Sequence, residues 1–111
     1  MSKNSLYLMN FNNRAILSHQ YYDIFNKETN TIVKTGVSGG KIRKDGKSYR
    51  AEQQVRKWNK EKGGDVFESV ITDKIPEGKG ARDKILLIEK AKAKKYRDQG
   101  LLKDKYYHKI P

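Results

Sequence analysis

The residue best suited to chemistry in this sequence is Glu89, a carboxylate inside the apolar run KILLIEKAK. Because Ile85 and Ile88 direct one side of this segment towards a core, we expect Glu89 to border the buried face and to be partly shielded from water. A carboxylate in that position can bind Mg²⁺ and organise a phosphate group for cleavage. The alternative is an exposed glutamate that pairs with Lys90 or Lys92 on a helix surface.

Arg50 and Gln54 are four residues apart, which puts both side chains on one face of a predicted helix. The planar guanidinium of an arginine binds a phosphate through two hydrogen bonds, which a lysine cannot reproduce. We therefore predict that Arg50 is a catalytic phosphate contact and that Gln54 belongs to the same site. The alternative is a solvated basic helix, because the same segment also carries Arg56, Lys57, Lys60 and Lys62.

Two further polar side chains that could take part in catalysis, Tyr22 and Lys34, fall in predicted strands. Phosphodiester cleavage needs a group that activates the nucleophile, one that stabilises the added negative charge and one that assists the leaving oxygen. The phenol of Tyr22 can orient or deprotonate a water molecule, and a lysine among many like charges can have a lowered pKa and act as a base. The alternatives are a packed tyrosine with a polar tip and a lysine that only contacts phosphate.

The net charge of the chain is +12, from 25 Lys and Arg residues against 13 Asp and Glu residues. So large an excess, with tyrosines scattered among the lysines, indicates a polyphosphate partner and hence nucleic acid, either DNA or RNA. Basic runs fall on three separate elements, and aromatic side chains are available to stack on unpaired bases. The side chains that we predict to bind nucleic acid are Lys41, Arg43, Lys44, Lys47, Arg56 and Lys57.

Composition argues against several other kinds of protein. The chain has no cysteine, which rules out disulfide scaffolds, thiolate zinc sites and thiol catalysis. Its two histidines, His19 and His108, are too few for a metal site built from histidine. We also expect neither a signal peptide nor a membrane anchor, since no stretch approaches the roughly 20 consecutive apolar residues that a spanning helix needs.

The elements that must position these side chains are indicated by turn residues and by apolar periodicity. Ser48 is a good N-cap for a helix, and the glycines after Lys62 are typical of a helix end. β-branched and aromatic residues on both sides of a polar turn indicate a hairpin. The predicted elements are a hairpin (21–37), a mobile basic loop (39–47), a helix (48–62), a strand (66–72) and a second helix (81–99).

The predicted fold class is therefore α+β, with a small three-stranded antiparallel sheet flanked by two or three helices. The length of the chain supports one domain with a modest core. We assign residues 21–100 to that domain and residues 1–20 to an N-terminal arm or helix. Residues 101–111 are predicted to form a basic C-terminal tail that is poorly ordered.

The order of hairpin, helix, strand and helix over residues 21–97 resembles that of the GIY-YIG nuclease family. The family's first tyrosine matches Tyr21 or Tyr22, of which Tyr22 is preferred. The positions that match its glycine, small hydroxyl residue, arginine and glutamate are Gly36, Ser38, Arg50 and Glu89. Lys34 stands where the family has a second tyrosine, and Gln54 stands where it has a histidine or tyrosine. The family's downstream asparagine has no counterpart, so its function is either missing or filled by a different residue such as Gln99 or Asp104. The resemblance implies a Mg²⁺-assisted nuclease in which Glu89 binds the metal.

The stretch KTGVSGGKIRKDGKSYRAEQQVRKWNKEKG is similar to C-terminal toxin domains of bacterial polymorphic toxins, of the contact-dependent inhibition or Rhs/YD-repeat type. That resemblance implies a toxic nuclease that is secreted or surface-delivered as part of a larger toxin and that acts in the cytoplasm of a target bacterium. It also implies a dedicated immunity protein. We expect that partner to be acidic, because opposite charges accelerate and tighten association.

Two other functions stay open at the level of sequence. A metal-independent ribonuclease of the barnase, colicin or RelE type attacks with the RNA 2′-hydroxyl and would cleave tRNA. The side chains available for that chemistry are His19, Tyr22, Lys34, Thr35 and Arg50. A nucleic-acid-binding module without catalytic activity would use the same excess of positive charge.

Overall fold

The computed structural model describes residues 17–108. In chain order, its elements are β1 (Leu17–Asn26), β2 (Thr31–Lys41), α1 (Tyr49–Lys62), β3 (Phe67–Pro76) and α2 (Ala81–Asp98). The three strands form one antiparallel sheet in the order β2-β1-β3, so β1 is the central strand. The prediction of an α+β fold with a three-stranded antiparallel sheet and flanking helices is confirmed.

Strand β1 begins earlier than the sequence pattern indicated. Residues 18–20 pair with β2 on one side and with β3 on the other, so they belong to the sheet and not to an N-terminal arm. Strand β2 extends to Lys41. The Arg43 N–H donates to the Lys47 carbonyl and the Gly46 N–H donates to the Arg43 carbonyl, both at 2.9 Å, so the rest of the predicted loop is closed into a turn. Residues 1–16, the remainder of the predicted arm or helix, lie outside the described residues.

Helix α1 occupies the segment that the sequence predicts for it. The Ser48 hydroxyl accepts a hydrogen bond from the Ala51 N–H at 3.2 Å. Gly63 ends the helix with a φ of 76°, a backbone conformation that glycine adopts without strain. The buried stripe of α1 is Ala51, Val55 and Trp58, and it packs on core residues that include Tyr22, Ile24 and Phe67. This packing holds the first turn of α1 beside the central strand.

Helix α2 contacts all three strands, and its buried side chains are Ala81, Ile85 and Ala93. Polar contacts fix its C-terminal half to the sheet. Lys92 Nζ binds Asp73 Oδ2 on β3 at 2.6 Å, and the Tyr96 hydroxyl donates to Asp23 Oδ2 on β1 at 2.9 Å. Neither helix in the described part of the chain has the length and apolar character needed to cross a membrane.

The segment after α2 is packed against the domain, so the prediction of a poorly ordered tail is wrong for residues 101–108. Leu102 and His108 are buried. The Tyr107 ring lies edge-on to Trp58, with 4.8 Å between centroids, and 5.3 Å from the ring of Phe67. The sequence pattern concealed this packing because lysines separate the apolar residues, whose partners are on distant elements. Residues 109–111 lie outside the described residues.

Candidate active site

A cavity of about 650 Å³ is bordered by β1, β2, α1, α2 and the C-terminal segment. It is strongly cationic, because four basic side chains line it and Glu89 is its only carboxylate among the described residues. A concave site with this charge attracts anions such as phosphate groups. The structure therefore brings together four of the five predicted catalytic residues: Tyr22, Lys34, Arg50 and Glu89. The other lining residues are Thr35, Gly36, Val37, Lys90, Ala93, Arg97 and His108.

Tyr22 lies on the central strand with only 1% of its surface exposed, and its phenol packs directly on Gly36 of β2. A Cβ atom at position 36 would lie 2.6 Å from Tyr22 Oη, so only glycine leaves room for the ring. Burial raises the pKa of the Tyr22 phenol, and the positive charge of Arg50 opposes part of that rise. The phenol is therefore protonated at neutral pH and suited to orienting a water molecule or a phosphate oxygen through hydrogen bonds.

The positive charge of Arg50 acts on two other groups of the cavity, Tyr22 and Glu89. It lies in the first turn of α1, where its side chain is exposed enough to meet a ligand. Its charge favours the ionised form of both Tyr22 and Glu89. A guanidinium in this position can bind two oxygens of one phosphate.

Glu89 lies one helical turn after Ile85, on the side of α2 that borders the sheet. Burial raises the pKa of its carboxyl group, while the charges of Lys34, Arg50 and Arg82 oppose that rise. A carboxylate that is partly removed from water and surrounded by cations is typical of functional sites.

Pairing with a neighbouring lysine on the helix surface does not account for the position of Glu89. Lys92 pairs with Asp73 instead, at 2.6 Å. The salt bridges found between residues 17 and 108 do not include Glu89. Its carboxylate is therefore available to a ligand in the cavity.

Lys34 and Gln54 have different positions relative to the cavity. Lys34 lies on β2 opposite Ile24 and lines the cavity, where its charge acts on both Glu89 and His108. Gln54 is one turn from Arg50 but does not line the cavity. Its Oε1 is buried and has no hydrogen-bond partner among the described residues. The structure thus does not join Gln54 to the other four predicted catalytic side chains.

His108 is a cavity residue that the sequence did not indicate, because its segment was predicted to be a poorly ordered tail. The Thr35 N–H, on the edge strand β2, donates to His108 Nδ1 at 3.4 Å. Burial lowers the pKa of the His108 ring, and the nearby charges of Lys34 and Arg97 lower it further. Thr35 and His108 are 73 positions apart, so no local spacing in the sequence signals this contact.

Other polar residues considered from the sequence lie outside the cavity. His19 pairs with Gly39 on β2 and is absent from the lining, so the structure separates it from Lys34 and Thr35. Gln99 is the C-cap residue that follows α2, and Asp104 accepts a hydrogen bond within a turn of the C-terminal segment. Neither of these two residues reaches the cavity.

A second groove, of about 630 Å³, shares Arg50 with the cavity. It contains Lys41 and Arg56, two of the six side chains predicted to bind nucleic acid. Tyr49, which is 55% exposed, offers an aromatic face at the same place. Its polar wall is a hydrogen-bonded chain formed by Gln20, Ser38 and Ser48. Cationic side chains beside an exposed aromatic ring are the features that bind unpaired nucleotides.

The other four predicted nucleic-acid contacts lie outside both the cavity and the groove. Arg43 forms a salt bridge with Asp45 at 2.8 Å. Lys47 donates to a backbone carbonyl of β3 at 2.6 Å, so it holds the turn against the sheet. Lys44 and Lys57 are exposed.

Among the described residues that line the cavity, Glu89 is the one whose side chain fits the role of a magnesium ligand. Residues 17–108 contain no cluster of three or more His, Asp or Glu residues that could hold a metal ion by themselves. Mg²⁺ commonly binds through one or two carboxylates and takes its other ligands from water and from substrate phosphate. The cavity fits that mode, since it offers one carboxylate and space for a phosphate beside it.

Comparison of the chain with protein-family models, with curated proteins and with solved structures found no match. The element order in the structure is hairpin, helix, strand and helix. The geometry therefore defines a class of protein, a small α+β domain with a cationic cavity that holds one carboxylate.

Proposed function

We propose that this chain is a nuclease that hydrolyses phosphodiester bonds of DNA or RNA. One observation carries the proposal: side chains from four different elements, Tyr22, Lys34, Arg50 and Glu89, line a single cationic cavity. A phenol, two cations and a carboxylate in one concave site are the kinds of group that phosphodiester cleavage requires.

Each of these side chains has a role that follows from its environment. The guanidinium of Arg50 and the ammonium of Lys34 bind the non-bridging phosphate oxygens and stabilise the charge that develops during cleavage. The protonated phenol of Tyr22 orients the attacking water. Glu89 would hold Mg²⁺, which when bound supplies further charge stabilisation and lowers the pKa of a coordinated water.

The biological setting that we propose is that of a toxin domain. It would be delivered as part of a larger secreted or surface-exposed protein and would act in the cytoplasm of a target bacterium. The support for this is the similarity of residues 34–63 to polymorphic toxin domains, together with the net charge of +12. An acidic immunity protein would neutralise such a domain, because opposite charges favour rapid and tight association.

A second candidate function, a metal-independent ribonuclease that cleaves tRNA, is favoured by one observation. His108 lies in the cavity with Lys34, Thr35 and Arg97, and so supplies the histidine that His19 does not. Such an enzyme would use the RNA 2′-hydroxyl as nucleophile and would need no metal.

The experiment that separates these functions is incubation of the purified chain with plasmid DNA and with total RNA, with Mg²⁺ and with EDTA. The proposal expects cleavage that EDTA abolishes and that excess Mg²⁺ restores. RNA cleavage that resists EDTA and leaves cyclic phosphate ends would support the metal-independent ribonuclease. Binding without cleavage in either condition would identify a non-catalytic nucleic-acid-binding module.

The site assignment is tested with Glu89→Gln and with the matched variant Glu77→Gln, which changes an exposed glutamate between β3 and α2. We expect Glu89→Gln to slow cleavage by about 100-fold or more, the scale of a lost metal contact, while the thermal midpoint of unfolding stays near that of the wild type. Glu77→Gln is expected to cleave at the wild-type rate. A fully active Glu89→Gln protein would remove Glu89 from the site.

A further inference from the structure

His108 has no part in the Mg²⁺-assisted mechanism proposed above, although it lines the same cavity as Lys34 and Glu89. It is only 6% exposed, and two hydrogen bonds hold it in place. Its Nδ1 accepts a hydrogen bond from the Thr35 N–H at 3.4 Å, and its own backbone N–H donates to the Asp104 carbonyl at 3.1 Å. The imidazole is therefore a fixed part of the cavity wall.

The contact with Thr35 determines where the ring carries its proton. A backbone N–H can only donate, so Nδ1 must present a lone pair and the proton of the neutral ring lies on Nε2. Protonation of Nδ1 would set two donors against each other, beside the positive charges of Lys34 and Arg97. The ring is consequently built to donate from Nε2 and is poorly suited to taking up a second proton.

We infer that His108 is a substrate-contacting residue that donates a hydrogen bond from Nε2 to a non-bridging oxygen of the phosphate in the cavity. This inference rests on the proposed nuclease function and deepens it, because it adds the C-terminal segment to the phosphate site. Four cations already line the cavity, so a neutral donor adds a further phosphate contact without adding charge repulsion in the free protein.

Two substitutions test the roles of the two ring nitrogens of His108 separately. The amide oxygen of asparagine can replace Nδ1, so His108→Asn keeps an acceptor for the Thr35 N–H and removes the donor in the cavity. The amide nitrogen of glutamine reaches the position of Nε2, so His108→Gln keeps a donor in the cavity and loses the acceptor for Thr35. The measured quantities are kcat/KM for cleavage of a short oligonucleotide and the thermal midpoint of unfolding.

We expect His108→Asn to keep a thermal midpoint near that of the wild type and to lose about 10- to 100-fold in kcat/KM, the effect of one hydrogen bond to a charged group. His108→Gln is expected to unfold at a lower temperature but to retain more of the cleavage activity than His108→Asn. Cleavage by His108→Asn at the wild-type rate would overturn the inference. Losses of activity that simply follow the losses of stability would also overturn it.

Titration with inorganic phosphate tests the contact independently of catalysis. In ¹⁵N-labelled wild-type protein, we expect phosphate to shift the Nε2 resonance of His108 while Nδ1 keeps the resonance of an acceptor nitrogen. If the wild type cleaves nucleic acid but Nε2 does not respond, the inference about His108 fails and the nuclease proposal stands. If the wild type does not cleave, the nuclease proposal fails, and the response of Nε2 alone decides whether His108 contacts phosphate.

Discussion

At the scale of single residues, the position of the Tyr22 phenol depends on its close packing against Gly36. We expect Gly36→Ala to displace that phenol, because a Cβ would lie 2.6 Å from Oη and 2.7 Å from Cζ. Overpacking of this kind lowers the free energy of unfolding by about 1–3 kcal/mol, and a misplaced catalytic group reduces the rate by about 100-fold. Urea unfolding and cleavage rates measure the two effects.

The matched control for that substitution is Gly64→Ala. A Cβ at position 64 meets no atom within 4 Å, so this variant is expected to unfold and to cleave like the wild type. Wild-type cleavage by Gly36→Ala would show that the position of the Tyr22 phenol does not matter for the reaction.

Asp23, a buried carboxyl group outside the cavity, is expected to make the stability of the protein depend on pH. Asp23 is 4% exposed and accepts hydrogen bonds from the hydroxyls of Tyr21 and Tyr96, both at 2.9 Å. Burial raises the pKa of Asp23 above its ordinary value of 3.8, although those hydrogen bonds and the charge of Lys92 oppose the rise. The folded state therefore keeps the Asp23 proton to a higher pH than the unfolded chain does.

The sign of the resulting pH dependence follows by linkage. A raised carboxyl pKa contributes stability that is present below the unfolded value of 3.8 and is lost as the pH rises through the folded value. We expect the unfolding free energy of the wild type, relative to Asp23→Asn, to fall as the pH rises from 4. Urea unfolding at several pH values measures this difference, in which the contribution of His108 cancels. Asp98→Asn, the same change at an exposed site, is the control. If the free energies of unfolding of the wild type and of Asp23→Asn changed in parallel with pH, the argument would be contradicted.

At the scale of elements, one contact that holds the C-terminal segment to the domain is the ring of Tyr107, which packs on Trp58 and Phe67. We expect Tyr107→Ala to lower the free energy of unfolding by about 2–4 kcal/mol, since it removes a large aromatic side chain from partly buried surroundings. Tyr106→Ala is the matched control, because Tyr106 is 55% exposed and we expect its loss to cost less than about 1 kcal/mol. Equal effects in a urea titration would show that the segment does not depend on Tyr107.

The elements that could be predicted from the sequence are those whose signals are local. Helix α1 begins after a capping serine, Ser48, and ends at Gly63, and both signals lie at its own ends. The start of β1 could not be predicted, because residues 18–20 gain their strand character from pairing with two distant strands. The prediction that Tyr22, Lys34, Arg50 and Glu89 share one site rests on the order of the elements together with a position-by-position family resemblance. His108 reaches the same cavity only through tertiary packing.

At the scale of the whole molecule, the positive charge is continuous from the cavity into the neighbouring groove. Arg50 belongs to both, and Lys41 and Arg56 extend the cationic surface away from Glu89. A nucleic-acid strand whose cleaved phosphate lies in the cavity would place its next phosphates along this groove. Tyr49 would then be in position to stack on an unpaired base.

If nucleic acid follows this path, the salt dependence of binding should change when cations in the groove are removed and should not change when cations elsewhere are removed. The affinity for nucleic acid falls with salt concentration, with a logarithmic slope of about 0.9 per phosphate contact on a duplex and about 0.7 on a single strand. We expect the double variant Lys41→Gln/Arg56→Gln to lose about two contacts and to show a slope that is shallower by about 1.4–1.8 when binding is measured in EDTA. Lys27→Gln/Lys60→Gln removes the same charge from residues outside the cavity and the groove, and is expected to keep the wild-type slope. Equal slopes for the two double variants would mean that the domain binds nucleic acid through its overall charge, with no defined path from the cavity.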